Sequence, residues 1–258
     1  MTARNNEMTE TEQKAIEYYK ENSIPHLSLD CVIFGYDREQ LKLKGLLIKM
    51  KRQDDWGLPG GFIRFDENLE DAAIRILKER TGAEDIFLKQ FNVFGELNRS
   101  EEFYNKPDAS IKDEWLGARF ISIGFYALVD YKKVTPVVDK LSSDCQWHDV
   151  EKLPQLMMDH RYIFDTALES LRKDLTIHPV GYNLLPKKFT MPELQSLYEI
   201  ILGRKLNRGN FYRKINNYQI LEKLDEVRKG GAHKSPFLYS FNKERYDEAV
   251  REGLKDIW

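Results

Sequence analysis

"WGLPGGFIRFDENLEDAAIRILKERTGA", residues 56–83, decides how the chain is read. Residues 56–64 read as a glycine-rich turn and strand, and residues 67–81 as a helix. Positions 76, 79 and 80 are three and four apart, so they share one face of that helix. Three carboxylates on such a face would bind a hard divalent cation. Here the face reads Ile76, Glu79, Arg80, and its charge sums to zero. The stretch has the outline of a metal-dependent hydrolase site without the ligands such a site needs.

Around it lies a strand-rich region. "LSLDCVIFGY" is a continuous apolar strand run, and "LKLKGLLIKM" is its hairpin partner across "DREQ". "FNVFGELN" and "ARFISIGFYALVDY" read as further strands, and "SDCQWHDVEKLP" as a last strand and turn. "DHRYIFDTALESLRKDL" is an amphipathic helix. Hairpin-paired strands with inserted helices predict an α+β sandwich of about 150 residues. Before it, residues 8–22 form a short helix whose Thr9 and Glu12 make a capping box.

Composition sets outer limits. The 258 residues are 41% hydrophobic and 32% charged, with a net charge of −2. That suits one large domain or two smaller ones. Cys31 and Cys145 lie in or near apolar runs, which points to core packing and not to a disulfide. No apolar run approaches the roughly 18 residues of a membrane span. The polar, acidic start "MTARNNEMTETEQKA" is no signal peptide, so the expected location is the cytoplasm, away from membranes.

A second pattern begins after residues 175–188, a segment with two prolines and a glycine that reads as a linker packed in place. "TMPELQSLYEIILG" is a helix capped by Thr190 and Glu193 and stopped by Gly203. "NRGNFYRKINNY" is a second helix capped by Asn207. "QILEKL" and "FLYSF" are strands flanking "DEVRKGGAHKSP", and a helix closes the chain. Between Arg204 and Lys234 there are nine Lys and Arg against three acids, a surplus of six in a chain of net charge −2. Such asymmetry points to a nucleic-acid surface, set against the bland alternative of a solvated basic face.

The spacing in the opening stretch resembles the Nudix box: Gly, five residues, Glu, seven residues, then Arg-Glu-apolar-x-Glu-Glu-x-Gly-apolar. The match covers Gly61, Glu67, Arg75, Leu77, Glu79, Gly82 and Ala83, and departs at Ile76 and Arg80. The resemblance extends over roughly residues 25–170. With two of the three clustered glutamates replaced, it implies a vestigial box of Gly61, Glu67, Arg75, Glu79 and Gly82. It implies no catalytic residue, no metal, no cofactor and no enzyme. Hydrolysis through other acids, Glu84, Asp85 or Glu96, is the alternative. Arg75 reads either as a pocket residue or as a scaffold pairing with Glu79, with Glu67 bonding loop amides.

The tail resembles a winged helix-turn-helix. Helix 190–202 would support, helix 208–217 would enter the major groove, and the hairpin around Gly230 and Gly231 would be the wing. The expected DNA-binding residues are Lys205, Arg208, Asn210, Arg213, Lys214, Asn217, Arg228, Lys229, His233 and Lys234. Arg and Asn suit base edges, and Lys205, Arg228, Lys229 and Lys234 suit phosphates. Phe211, Ile215 and Tyr218 suit a small core.

A degenerate Nudix domain joined to a winged helix resembles the Nudix-related transcriptional regulators of the NrtR family. The most specific stretch is "IHPVGYNLLPKKFTMPELQSLYEIILGRKLNRGNFYRKI", which spans the junction and leads into the DNA-binding helices. The expected architecture is α+β: an N-terminal Nudix-fold α/β/α sandwich followed by a C-terminal winged helix-turn-helix domain. Its expected divisions are an extension (1–23), the sensing domain (24–174), the linker (175–188) and the DNA-binding domain (189–258). The resemblance implies a homodimer on palindromic operator double-stranded DNA, released by a small-molecule effector. That effector is a pentose such as arabinose or, alternatively, ADP-ribose. A lost metal argues for the sugar; Arg64, Arg75 and Arg80 as direct phosphate ligands argue for ADP-ribose. The expected effector-binding residues are Trp56, Arg64, Glu67, Glu79, Arg80, Glu96, Arg119, Asp159 and His160.

Overall fold

The computed structural model describes residues 9–51, 54–82, 87–99, 113–182, 184–228 and 235–253. The chain divides into two compact units. The first is Met1–Gly35 with Lys44–Leu168, and the second is Tyr36–Leu43 with Glu169–Trp258.

The first unit opens with α1 (Glu10–Asn22), and the Thr9/Glu12 capping box is formed in full. The strands are β1 (Ser23–Asp37), β2 (Lys42–Met50), β3 (Trp56–Gly57), β4 (Gly60–Arg64), β5 (Phe87–Phe94), β6 (Ile121–Asp130) and β7 (Ser142–Asp149). They make one sheet in the order β3-β2-β1-β6-β5, with β4 paired to β1 and β7 to β2. Strand β5 begins four residues before "FNVFGELN" and ends at Phe94, where its antiparallel pairing with Ser122 of β6 stops.

Helices cover both faces of the sheet. Side chains alternate along a strand, so Cys31 and Ile33 of β1 face one way and Val32 and Phe34 the other. Cys31 and Ile33 pack with Ala72, Ala73, Ile76 and Leu77 of α2 (Leu69–Thr81) in one core cluster. Phe34 meets Phe164 of α3 (His160–Asp174) edge-on at 5.4 Å. Gly45 makes that second seat: a Cβ there would lie 2.5 Å from the Phe164 ring. Burial on both faces is why β1 reads as a continuous apolar run and not as an alternation.

In the second unit, α4 (Met191–Leu202) carries the Thr190/Glu193 capping box and ends at Gly203 in the left-handed region, φ 67°. Helix α5 (Arg208–Asn217) is capped by the Asn207 side chain, which accepts the backbone N–H of Asn210. Strands β9 (Leu221–Val227) and β10 (Phe237–Phe241) pair antiparallel. A short third strand, β8 (Phe189–Thr190), adds to β10. Two residues are too few to announce a strand in sequence. Helix α6 (Lys243–Glu252) closes the described chain. Residues 175–188 pack into this unit: Leu184 and Leu185 are buried, and the Tyr198 hydroxyl accepts the Val180 N–H.

Candidate functional site

The box stretch folds into a loop held by one bidentate ion pair. Arg75 donates Nε to Glu67 Oε2 at 2.8 Å and Nη2 to Glu67 Oε1 at 2.6 Å. Its Nη2 also donates to the Phe62 carbonyl at 2.9 Å, and the Arg64 N–H donates to Glu67 at 2.9 Å. The Arg75 guanidinium, aided by the Arg64 N–H, holds the Glu67 carboxyl below its ordinary range against the opposing effect of burial. Glu79 lies 3.5 Å from Arg75 and 3.8 Å from Arg64, half exposed. Gly61 faces Ile76, whose Cδ1 would be 3.1 Å from an added Cβ.

Arg80 was expected as a direct phosphate ligand in the ADP-ribose alternative. Instead it is buried and donates to Asp139, a residue outside the box that the sequence reading passed over. Burial pushes the Asp139 carboxyl up, but Arg80 and Ser142 outweigh it and leave the carboxyl below its ordinary range. The charge at position 80 is thus matched by a carboxylate 59 residues away in the chain.

These residues border a cavity of about 190 Å³. Apolar groups line much of it, among them Leu29, Ile48, Met50, Leu58, Ile76 and Met157. The polar lining is Tyr19, Ser28, Asp30, Arg75, Glu79, Arg80, Asp139 and His160. Tyr19 comes from α1, so the N-terminal extension is a wall of the cavity. Its ring sits 5.2 Å from Phe62, and burial pushes its hydroxyl pKa up. A smaller neighbouring cavity shares Asp30 and His160 and is bordered by Arg99. Arg99 bonds Asp159 through Nε at 2.8 Å and Nη2 at 3.0 Å. Asp30 and Arg99 carried no motif; only their place on folded elements marks them.

Of the expected effector residues, Glu79, Arg80 and His160 line the main cavity, and six others do not. Trp56 turns its ring onto His148, 4.5 Å away, because β3 pairs at the edge of the sheet. Arg64 points to Glu79, and Glu67 is spent on Arg75. Glu96 is exposed, and Arg119 is exposed and bonded to the Gly95 carbonyl. Asp159 is the ion-pair partner of Arg99.

The box residues do not fit the divalent cation of a Nudix hydrolase. Mg²⁺ takes oxygen ligands. Both Glu67 oxygens already bind Arg75, Glu79 stands beside two guanidiniums, and positions 76 and 80 offer an alkyl group and a cation.

The second unit presents a different surface. Arg208, Asn210, Arg213, Lys214 and Asn217 are all exposed on α5. Phe211 and Ile215 point inward, and Tyr218 is half-buried. Arg208 lies 5.2 Å over Tyr212, and Lys214 lies 5.7 Å over Tyr218. Arg213 donates to Asn210 at 3.2 Å. Lys205 and Arg228 are engaged by acids, Glu199 at 2.8 Å and Glu193 at 2.9 Å. Lys229, His233 and Lys234 lie outside the described residues. Glu199 braces the turn between α4 and α5. Lys205, the Leu206 N–H and Gln195 all donate to it and hold its carboxyl down at about 2. No helix of the described residues is long and apolar enough to cross a membrane.

The NUDIX domain family model matches residues 25–167, more than half of the chain, and that of the NrtR DNA-binding winged helix domain matches residues 181–241. The chain is 27% identical over 246 residues to the ADPR responsive transcriptional repressor NtrR of Acinetobacter baylyi, covering 92% of this chain and 91% of that protein. Shewanella oneidensis NrtR, solved in complex with a 27mer DNA, is similar with a TM-score of 0.66 and 25% identity, over 86% of this chain and 95% of that one. A MutT/nudix family protein from Enterococcus faecalis shares the fold, with a TM-score of 0.62 and 21% identity over 89% and 93% of the two chains. The chain belongs to the Nudix family, and its C-terminal unit matches the NrtR DNA-binding winged helix domain.

Proposed function

We propose that this chain is a cytoplasmic, homodimeric repressor of sugar-catabolism genes. Its winged helix binds a palindromic operator, and its Nudix-fold cavity takes a pentose such as arabinose that releases the DNA. The observation that carries the effector class is the commitment of the cavity's guanidiniums. Arg75 is paired with Glu67, Arg80 with Asp139, and neighbouring Arg99 with Asp159. A diphosphate would meet these pairs without a metal, whereas an uncharged polyol needs only donors and acceptors. Glu79, Arg80 and His160 face the ligand in this reading. Trp56, Arg64, Glu67, Glu96, Arg119 and Asp159 support the walls.

Release follows from linkage. The effector must bind the DNA-incompetent arrangement more tightly, because equal affinity shifts nothing. In a dimer the two α5 helices must stand about 34 Å apart to enter successive major grooves, so a small rotation is enough.

ADP-ribose is the second reading, favoured by the ADPR responsive relative. It is also favoured by the Nε atoms of Arg64 and Arg80, which are buried without a hydrogen-bond partner. Titration calorimetry with L-arabinose, D-xylose, D-ribose and ADP-ribose separates the two. Gel shifts on DNA flanking the chain's own gene give the second readout. A pentose that binds and releases DNA is the expected result; ADP-ribose acting alone would replace it. No turnover of ADP-ribose with Mg²⁺ or Mn²⁺ above buffer is expected, and turnover would make the chain an enzyme.

A further inference from the structure

Two groups in the main cavity face each other across a gap. His160, the first residue of α3, accepts the Leu58 N–H on Nδ1 at 2.9 Å. A neutral imidazole that accepts at Nδ1 carries its proton on Nε2. That Nε2–H lies 3.7 Å from Asp30 Oδ1, beyond direct hydrogen-bond distance. The other Asp30 oxygen is taken: Oδ2 accepts the Ser122 hydroxyl at 2.6 Å and Arg99 Nη2 at 3.4 Å. A donor and an acceptor, each fixed from behind, are left opposite one another, and both residues line the cavity.

We propose that Asp30 and His160 form a hydroxyl-reading subsite. One sugar hydroxyl accepts from His160 Nε2–H and donates to Asp30 Oδ1. This rests on the reading of the cavity as the effector pocket. A hydroxyl donates and accepts at once, which is what the pair requires. An ether oxygen or an ionised phosphate oxygen only accepts, and would set lone pairs or like charge against the Asp30 carboxylate. The hydroxyl can belong to a free pentose or to the terminal ribose of ADP-ribose, and the experiment separates these sources.

The backbone is shaped around the pair. A Cβ on Gly60 would lie 2.6 Å from the Leu29 carbonyl oxygen and 3.1 Å from Asp30 Oδ1. One on Gly57 would lie 2.9 Å from Met157 Sδ and 3.4 Å from His160 Nδ1. Glycine at both positions lets the "WGLPGG" run pass close to both groups. Arg99 is anchored independently by Asp159, so Asp30 is oriented by a fixed cation.

The test uses the full chain and two conservative variants. His160→Asn keeps an acceptor where Nδ1 stood, so Leu58 stays capped, but it removes the Nε2–H. In Asp30→Asn, Ser122 and Arg99 hold the amide oxygen and turn the NH₂ toward His160, so a donor faces a donor. Wild type and both variants are titrated with L-arabinose, D-xylose, D-ribose and ADP-ribose, with thermal unfolding as a folding check. Each variant should weaken the Kd of the ligand that binds wild type by about ten- to a hundred-fold, as expected for a hydrogen bond involving a charged group. An unchanged Kd in folded His160→Asn overturns the subsite, even if wild type binds a pentose. Wild type binding ADP-ribose alone overturns the pentose reading, while a loss in His160→Asn still supports the subsite on ribose. Should His160→Asn not fold, Asp30→Asn decides by the same criterion. Wild type binding none of the four overturns both.

Discussion

The box helix α2 and the helix α5 are both studded with charge, and they use it in opposite ways. On α2, Arg75 and Arg80 are tied to Glu67 and Asp139, with 19% and 8% of their side chains exposed. On α5, Arg208, Arg213 and Lys214 stand exposed with no acid paired to them among the described residues. Charge satisfied inside the chain builds scaffold; charge left outward is available to a partner. The box by itself points to chemistry on α2, but the unpaired basic charge lies on α5.

The largest effect should come from breaking the scaffold pair. Arg75→Met leaves Glu67 largely buried without its partner and frees the Phe62 carbonyl. Removing one member of a buried pair costs about 3–5 kcal/mol, and partial exposure here lowers the expectation to about 2–4 kcal/mol. Urea unfolding measures it. A loss below about 0.5 kcal/mol would mean that α2 wears its charge as lightly as a surface helix. The sign with pH is fixed by the pair. Glu67 and Asp139 titrate lower when folded than their ordinary 4.5 and 3.8. The unfolded chain therefore binds more protons in acid. Their stabilisation is complete above about pH 5 and is lost as pH falls through the depressed folded values. Glu67→Gln should flatten that acid limb.

Next in size is Arg80→Met, which strands Asp139 beside Ser142. A cost of about 1–3 kcal/mol is expected, with much of it recovered in Arg80→Met/Asp139→Asn. Failure of the double variant to recover would show that Arg80 does more for the fold than balance Asp139.

This pair marks where the sequence stopped being legible. The box spacing, both capping boxes and the winged-helix order are local patterns, and each became the expected element. Ile76 and Arg80 marked, through the resemblance to the Nudix box, where the sequence departs from a three-carboxylate face. Nothing local ties Arg80 to Asp139, or Asp30 to His160, because those meetings depend on how the sheet and the loop before β7 fold over α2. Trp56 and Asp159 misled for the same reason. Aromatic and acidic residues near a rim look like ligands until pairing at a sheet edge, or an arginine such as Arg99, claims them. Tyr19 could have been found: it lies on the same helical face as Ile16, and a capped extension with an apolar face needs something to cover.

On the α5 side, Arg213→Ala should weaken operator binding by about 1–3 kcal/mol if its guanidinium reads a base, and relax selectivity at that position. Fluorescence anisotropy against operator variants measures both. A uniform loss across all sequences would make Arg213 a phosphate contact instead.

The finest effect tests whether commitment to an acid matters within the winged helix itself. Lys214 has no acid paired to it, whereas Lys205 is bound to Glu199 and Arg228 to Glu193. Each phosphate neutralised adds about 0.9 to the slope of log affinity against log salt. Lys214→Ala should therefore lower the slope by about 0.9. Lys205 must leave Glu199 to reach a phosphate, and the acid's charge then stands unscreened beside the DNA. The net neutralisation is smaller, so Lys205→Ala and Arg228→Ala should each lower the slope by less than half as much. Equal changes in all three would show that these acids release their cations freely on binding. In that case a pair as exposed as Lys205–Glu199 could not be used to assign charge to scaffold, and the distinction between α2 and α5 would hold only for pairs that are buried.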